Sequence, residues 1–185
     1  MLLFGHLGIG KRLALTVNRN LPLFPLLVGT LLPDLIDKPV YYGLSWITQR
    51  TGNNIPLFTC TRTLGHTCLF LLLWIFVSKA LRARKSMYAS SCVAITAGIG
   101  THLFLDLLSD GVLVGLLSSS PRPEPAAFVA FLYPLYLPRF SISTFSGLSD
   151  HASHALNPFN LACEIIGLIF LFGRSGFGAY RTRQP

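Results

Sequence analysis

The stretch THLFLDLLSD, residues 101–110, places one histidine and two acids inside a long apolar run. His102, Asp106 and Asp110 follow one another at steps of four residues, which is about one turn of an α-helix. This spacing puts the three side chains along one face of a helix. We expect that face to contact other polar groups, because an unpartnered histidine or acid among leucines and phenylalanines is costly.

The composition of the whole chain indicates an integral membrane protein. It is 51% hydrophobic and 12% charged, whereas soluble domains are about 25% charged. A membrane helix needs about 20 apolar residues. The apolar segments lie at about 2–17, 21–36, 64–81, 88–108 and 156–173. We predict a single membrane-embedded domain over 1–185, an all-α bundle of about five membrane helices. A shorter stretch at 125–138, closed by prolines, is expected to form a re-entrant or interfacial helix.

The basic residues predict the orientation of this bundle. Ten of the 15 Lys and Arg residues fall in one alternating set of connections, and five fall in the other. The positive-inside rule places the richer set in the cytoplasm, with the N-terminus outside and the C-terminus inside. The net charge of +8 then reflects topology and contact with anionic membrane lipid, and we expect no nucleic-acid partner.

Distances along the chain place six ionisable residues at one depth. His66 lies 18 residues before the basic turn at Arg84 and His102 lies 18 residues after it, which is about 27 Å of helix in each case. His6 and Asp34 stand in a similar relation to the turn at Arg19. The set at this level, near the outer boundary of the membrane, is His6, Asp34, Asp37, His66, His102 and Asp106.

These residue types predict a divalent metal site. Imidazole and carboxylate groups are the usual ligands of zinc and similar metals. Three histidines and three aspartates can hold two ions a few ångströms apart, as in two-metal phosphoesterases. We therefore expect zinc, as one ion or two, with the six residues of this level as its ligands.

Four motifs, in order, resemble those of a known family. They are GHLGIG (5–10), LLPDLIDKP (31–39), RTLGHTCLF (62–70) and THLFLD (101–106). Together they look like the membrane-bound metal-dependent hydrolases of the YdjM-like type, which are themselves similar to zinc-dependent phospholipases C. The resemblance covers about residues 5–110, and more loosely the region near Tyr133 and Pro134. It implies hydrolysis of a phosphoester, with a lipid phosphate or a phospholipid as the substrate.

Three residues are candidates for catalytic roles. Asp37 or Asp34 would orient the attacking water or take its proton. Arg62, four residues before His66, would bind a phosphate bidentately or serve as an interfacial anchor. Glu164 lies inside the last apolar segment, where we expect it to pair with a buried polar group or to support the site.

Other functional classes fit the sequence less well. GHLGIGKR mimics a phosphate-binding loop, but Arg12 replaces the required Ser or Thr, so its glycines more plausibly serve helix packing. A serine hydrolase would need a G-x-S-x-G motif, which is absent. The alternative is a small-solute or metal transporter, or a metal-binding membrane protein. Transporter sites usually lie at the membrane midplane, whereas this cluster is predicted at the outer boundary.

The predicted orientation can be tested by labelling single cysteines in intact cells. A cysteine placed at position 150 should react with an impermeant reagent added from outside, and one placed at position 84 should not. The reverse labelling pattern would overturn the topology.

Overall fold

The regular elements of the chain are all helical. The computed structural model describes residues 3–51, 61–113, 126–137, 140 and 158–173. The elements in these ranges are α1 (Leu3–Val17), α2 (Leu23–Thr51), a 3₁₀ turn (Leu64–His66), α3 (Cys68–Ala83), α4 (Ala89–Leu107) with a π-helical continuation (Leu108–Leu113), α5 (Ala126–Phe131) and α6 (Pro158–Phe172). The predicted all-α class is confirmed for the described residues.

α4 lies against α1, α2 and α3, and its packing on α2 is a backbone contact. A Cβ added at Gly98 would lie 2.4 Å from Leu26 O and 2.6 Å from Thr30 N, so no side chain fits there. Gly29 of α2 faces α4 in the same way, because a Cβ added there would lie 2.2 Å from Ile95 O. Small residues permit this close approach of helices in membrane proteins. Along this contact, later residues of α2 lie beside later residues of α4, so the two helices run parallel.

α1 and α6 form a second close pair. A Cβ at Gly8 would lie 1.8 Å from Gly167 O, and one at Gly167 would lie 2.1 Å from Phe4 O. Further along the pair, Lys11 Nζ donates a hydrogen bond to Leu171 O at 3.1 Å. The two helices therefore run parallel as well. Gly8, from the GHLGIGKR motif, serves helix packing as the sequence indicated.

Short turns join the remaining neighbours and fix their directions. Five residues separate α1 from α2, and five separate α3 from α4, so each pair is antiparallel. Ser78 Oγ and Thr96 Oγ1 are hydrogen-bonded at 2.8 Å across the second pair. α1, α3 and α6 thus run in one direction, and α2 and α4 run in the other.

Polar and apolar side chains are distributed as in a bundle surrounded by lipid. Large apolar side chains point outward on α3 and α6, where Phe76 is 70% and Phe172 is 74% exposed. The fully buried side chains, by contrast, include His6, His66 and His102. Water would favour the opposite distribution, whereas helices in a membrane turn ionisable groups toward the bundle interior.

The helix lengths support part of the predicted membrane organisation. Among the described residues, one helix is long and apolar enough to cross a membrane by length and composition, Ala89–Asp110. α6 is apolar but has 15 residues. The number of five membrane helices therefore stays a prediction.

α2 is longer than its apolar segment indicated. The segment was expected over 21–36, but the helix has 29 residues and continues through Pro33 and Pro39. Proline removes one backbone donor and distorts the preceding turn without ending this helix. Asp34 and Asp37 consequently lie in the interior of α2 and not at its end.

The short apolar stretch predicted at 125–138 contains a helix of six residues, α5. This length is too small to cross a membrane. α5 contacts α4, its π-helical continuation and the 3₁₀ turn, so it packs beside the end of α4. Its placement as a re-entrant or interfacial helix stays a prediction.

Replacement of Gly98 by alanine should weaken the α2–α4 contact. The new Cβ overlaps backbone atoms that cannot rotate away, so we expect a loss of about 1–3 kcal/mol in unfolding free energy. Gly100→Ala is the matched control, because its Cβ would lie 3.9 Å from Leu71 Cδ1 and alanine favours helix by up to about 1 kcal/mol. Thermal unfolding of the purified variants measures both effects. Equal melting temperatures for the two variants would contradict this packing.

Candidate metal centre

Six side chains from four elements meet in one buried cluster toward the end of α4. α1 provides one of them, α2 two, the 3₁₀ turn one and α4 two. Each lies within 4.0 Å of another member of the cluster. The members are His6, Asp34, Asp37, His66, His102 and Asp106. The structure thus brings together the residues that the sequence placed at one depth.

The imidazoles of His66 and His102 face each other through their Nε2 atoms, which are 3.2 Å apart. The Nδ1 atom of His102 lies 2.7 Å from Thr30 O, and that of His66 lies 2.7 Å from Asp37 Oδ2. Both of these partners can only accept, so both Nδ1 atoms are donors. When both histidines are neutral, the lone pairs of the two Nε2 atoms point at each other and repel. A cation bound by both nitrogens would relieve this repulsion.

Two carboxylates border the gap between these nitrogens. Asp106 Oδ2 lies 3.4 Å from His66 Nε2 and 3.7 Å from His102 Nε2. Asp34 Oδ1 lies 3.6 Å and 4.0 Å from the same two atoms. Ligands at about 2.0–2.1 Å from a tetrahedral zinc are about 3.3 Å apart. The two facing nitrogens are close to that separation, and they form with Asp34 a group whose ligand atoms all lie within 4.8 Å of one another.

His6 extends the cluster on the α1 side. Its ring stacks on that of His102, with centroids 4.0 Å apart, and its Nε2 lies 3.3 Å from Asp106 Oδ1. His6 Nδ1 is buried and has no hydrogen-bond partner among the described residues. Two overlapping groups of metal-ligand type result, which share His102. They are His6, His102 and Asp106, and Asp34, His66 and His102.

Asp37 belongs to neither group, although the sequence suggested it as a ligand and as a residue that orients the attacking water or takes its proton. It lies behind His66, where Oδ2 accepts from Thr63 N at 2.6 Å and Oδ1 accepts from Gly65 N at 2.9 Å. These bonds shape the 3₁₀ turn, and the bond to His66 Nδ1 orients the imidazole.

The backbone around the 3₁₀ turn explains how His66 reaches the cluster. A Cβ at Gly65 would lie 2.8 Å from Pro33 O, so glycine allows the turn to approach α2 closely. Thr67 then caps the start of α3, and its hydroxyl accepts from Phe70 N at 3.0 Å. The chain therefore presents His66 toward α4 just before it turns into α3.

Two cations contact the outer side of the cluster. Arg62 Nε donates to Asp106 Oδ2 at 2.8 Å, and its terminal nitrogens contact Asp110. Lys38 Nζ lies 2.5 Å from Asp34 Oδ2. Because Arg62 contacts both Asp106 and Asp110, these two carboxylates lie on one face of α4 and its π-helical continuation, as predicted. Arg62, predicted to bind phosphate, is engaged by two carboxylates.

The charges named so far do not balance. Two bases, Lys38 and Arg62, stand against four acids, Asp34, Asp37, Asp106 and Asp110. With neutral histidines, two negative charges are left in a largely buried cluster. Buried charge is costly unless it is paired or binds a metal. One divalent ion would neutralise the excess.

A family model gives the decisive comparison, and it matches residues 1–173. This chain belongs to the YdjM inner membrane protein family. No curated protein and no solved structure matches it. Family membership supports a membrane protein, in agreement with the composition and with the outward apolar faces of α3 and α6.

The residues of this YdjM family member fit a zinc-type ion. Nitrogen and oxygen ligands converge, and the two facing histidines each have the remote nitrogen held by an acceptor. That arrangement of carboxylate or carbonyl, histidine and metal is general in metalloproteins. The candidate ligands accordingly form two groups, Asp34 with His66 and His102, and His6 with His102 and Asp106.

Some contributors to the site had no sequence signal of their own. Thr30 acts through its backbone carbonyl, which no motif reveals, whereas Lys38 is readable as the i+4 partner of Asp34. Arg122, Arg139, His151 and His154 lie outside the described residues.

Replacement of Asp37 by asparagine should separate an orienting role from direct ligation. Removal of such a partner behind a histidine typically weakens metal binding about 10–100-fold. We expect this loss for Asp37→Asn and a larger one for His102→Ala, with Ser78→Ala as a control at a distant polar contact of α3 and α4. Zinc affinity, measured by competition with a chelator, gives the order. An Asp37→Asn loss as severe as that of His102→Ala would place Asp37 among the ligands.

Proposed function

We propose that this YdjM family member is a metal-dependent hydrolase that acts on a phosphoester at the membrane–water boundary. The observation that supports it most is the pair of imidazole Nε2 atoms 3.2 Å apart, bordered by two carboxylates. Asp34, His66 and His102 would hold one ion, and His6 and Asp106 would take part in a second position beside it, because His102 has only Nε2 free for a ligand.

A bound divalent ion lowers the pKa of a coordinated water and polarises a phosphoryl oxygen. The protein side chains supply positioning and proton transfer around it. Asp37 fixes the His66 ring through Nδ1, and Thr30 O fixes that of His102. Asp34 is the more accessible carboxylate, with 17% of its side chain exposed against 4% for Asp106. Asp34 Oδ2, beside Lys38 Nζ, is therefore the atom that we assign to receive the proton of the attacking water.

An anionic substrate suits the rim of the site. Arg62 and Lys38 lie on the outer side of the carboxylates and retain partial exposure, at 19% and 34% of their side chains. A phosphoester would compete with Asp110 and Asp34 for these cations and gain charge-assisted hydrogen bonds. We therefore still assign Arg62 to phosphate binding, with its guanidinium in contact with Asp106 and Asp110 before the substrate binds.

The position of the site favours a lipid phosphate or a phospholipid. The cluster lies in the second half of α4, close to the end of the helix that is apolar enough to span. The headgroup zone begins at that level. The alternating directions of α1, α2, α3, α4 and α6 support five crossings. With the basic connections in the cytoplasm, the site would face the extracytoplasmic side.

Turnover by the purified, zinc-loaded protein tests this proposal. The substrates to offer are a phospholipid, an isoprenoid phosphate and a generic phosphodiester, with release of the phosphate-containing product as the readout. We expect hydrolysis of at least one of them, and at least about a hundredfold loss in His102→Ala, since electrostatic stabilisation of that size is lost with one key group. Ser78→Ala, which disturbs a polar contact outside the cluster, should retain wild-type turnover.

The transporter alternative predicts a different result in the same preparation. Protein reconstituted in vesicles would then move a solute or a metal ion across the bilayer and release no product from any of the three substrates. That pair of results would replace the hydrolase assignment.

A further inference from the structure

Glu164 is a buried acid in the apolar helix α6, and its carboxylate lies against the first turn of α1. Oε2 accepts a hydrogen bond from Phe4 N at 2.7 Å, and Oε1 accepts one from Gly5 N at 2.8 Å. The first N–H groups of a helix have no partners within that helix, and the helix end has partial positive charge. The carboxylate of one helix thus caps the start of the other with both of its oxygens.

The packing leaves this first turn little freedom. Gly167, three residues after Glu164, touches the backbone of α1 so closely that a Cβ would lie 2.1 Å from Phe4 O. The cap and the glycine contact therefore act on the same turn from the same helix. Together they set both the position of α1 along α6 and its distance from it.

His6 is the next residue after this capped pair. It is the one member of the metal centre that α1 provides, and it stacks on His102 with an interplanar angle of 18°. Helix ends fray when their first N–H groups lack partners. His102 and Asp106 lie far from the start of α4, which continues past them as the π-helical segment, whereas His6 lies in the first turn of its helix. The geometry of His6 consequently depends on the cap.

We propose that Glu164 is a positioning residue for the metal centre, which holds His6 in place by capping α1. This inference rests on the proposed metal site and extends it to α6, a helix that provides none of its ligands among the described residues. Glu164 acts through the backbone of Phe4 and Gly5 and does not touch the ion.

The chain offers a matched control for this role. Among the described residues, polar contacts join α1 to α6 at Glu164 and at Lys11, whose Nζ donates to Leu171 O at 3.1 Å. Lys11 lies five residues beyond His6 and makes no contact with the cluster in the described residues. Loss of either contact weakens the helix pair, but loss of the Glu164 contact alone should disturb His6.

The experiment measures Co²⁺ binding to the full-length protein in lipid nanodiscs, by visible absorption and by competition with a chelator. Glu164→Gln keeps the size of the side chain but puts an amide N–H₂ opposite a backbone N–H. We expect about 10–100-fold weaker Co²⁺ binding, as for loss of other supporting groups around metal ligands, and a changed absorption spectrum. Lys11→Met should lower the melting temperature and leave the affinity and the spectrum as in the wild type.

Two further variants make the result specific. In Glu164→Gln combined with His6→Ala, binding should be no weaker than in His6→Ala alone, because both changes remove the same contribution. Glu164→Asp, which keeps the charge and both acceptors, should lose less affinity than Glu164→Gln and provides the comparison if that variant does not fold.

The outcomes separate this inference from the function on which it rests. If the wild-type protein binds Co²⁺ and Glu164→Gln binds it equally well, the positioning role alone is overturned. Glu164→Asp takes the place of Glu164→Gln in this comparison if Glu164→Gln does not fold. Additive losses in the double variant would also overturn it. A wild-type protein that binds no Co²⁺ would overturn both, and one that binds Co²⁺ but hydrolyses no phosphoester would overturn only the proposed activity.

Discussion

The contact between α2 and α4 is the constraint on which the site depends. Gly29 and Gly98 let the two backbones touch, and this approach puts Thr30 O within hydrogen-bond distance of His102 Nδ1. One turn further along α2, Asp34 arrives opposite the Nε2 atom of the same ring. A side chain at either glycine would separate the helices and lengthen both contacts. Close backbone packing therefore decides which nitrogen of His102 is left for a ligand.

The cluster would be expensive in a lipid environment without its internal partners. Isolated ionised groups in an apolar medium cost several kcal/mol each even after relaxation. Here nearly every polar atom is engaged: Asp37 by two backbone N–H groups and a ring nitrogen, and Asp106 by Arg62. The exceptions include the facing Nε2 atoms and His6 Nδ1. These polar atoms, which lack a suitable hydrogen-bond donor among the described residues, thus lie where a cation would bind. This arrangement is expected of a binding site and not of a purely structural polar core.

The sequence was sufficient for the helical class and for the membership of the cluster, for a physical reason. Helical rise is uniform, so counting from two basic turns gave the common level of His6, Asp34, His66 and His102. Counting gives no information about rotation around the helix axis. That is why Asp37 was expected among the ligands, although it points to the 3₁₀ turn behind His66. The extension of α2 from residue 36 to Thr51 was also missed, because the predicted segment was bounded by its apolar composition, which ends before Asp37 and Lys38.

The helices α1 and α6, far apart in sequence, meet beside the candidate metal centre, and this has a consequence for assembly. α1 gains its cap from Glu164, 159 residues after Gly5, so the first turn of α1 lacks a partner until α6 is in place. α2, the 3₁₀ turn and α4 can bring Asp34, His66, His102 and Asp106 together earlier, through contacts of shorter separation. Since distant contacts form at greater entropic cost, we expect His6 to be fixed after these four residues. The helix α6 therefore completes the candidate metal centre, because it fixes α1 in place without providing a ligand among the described residues.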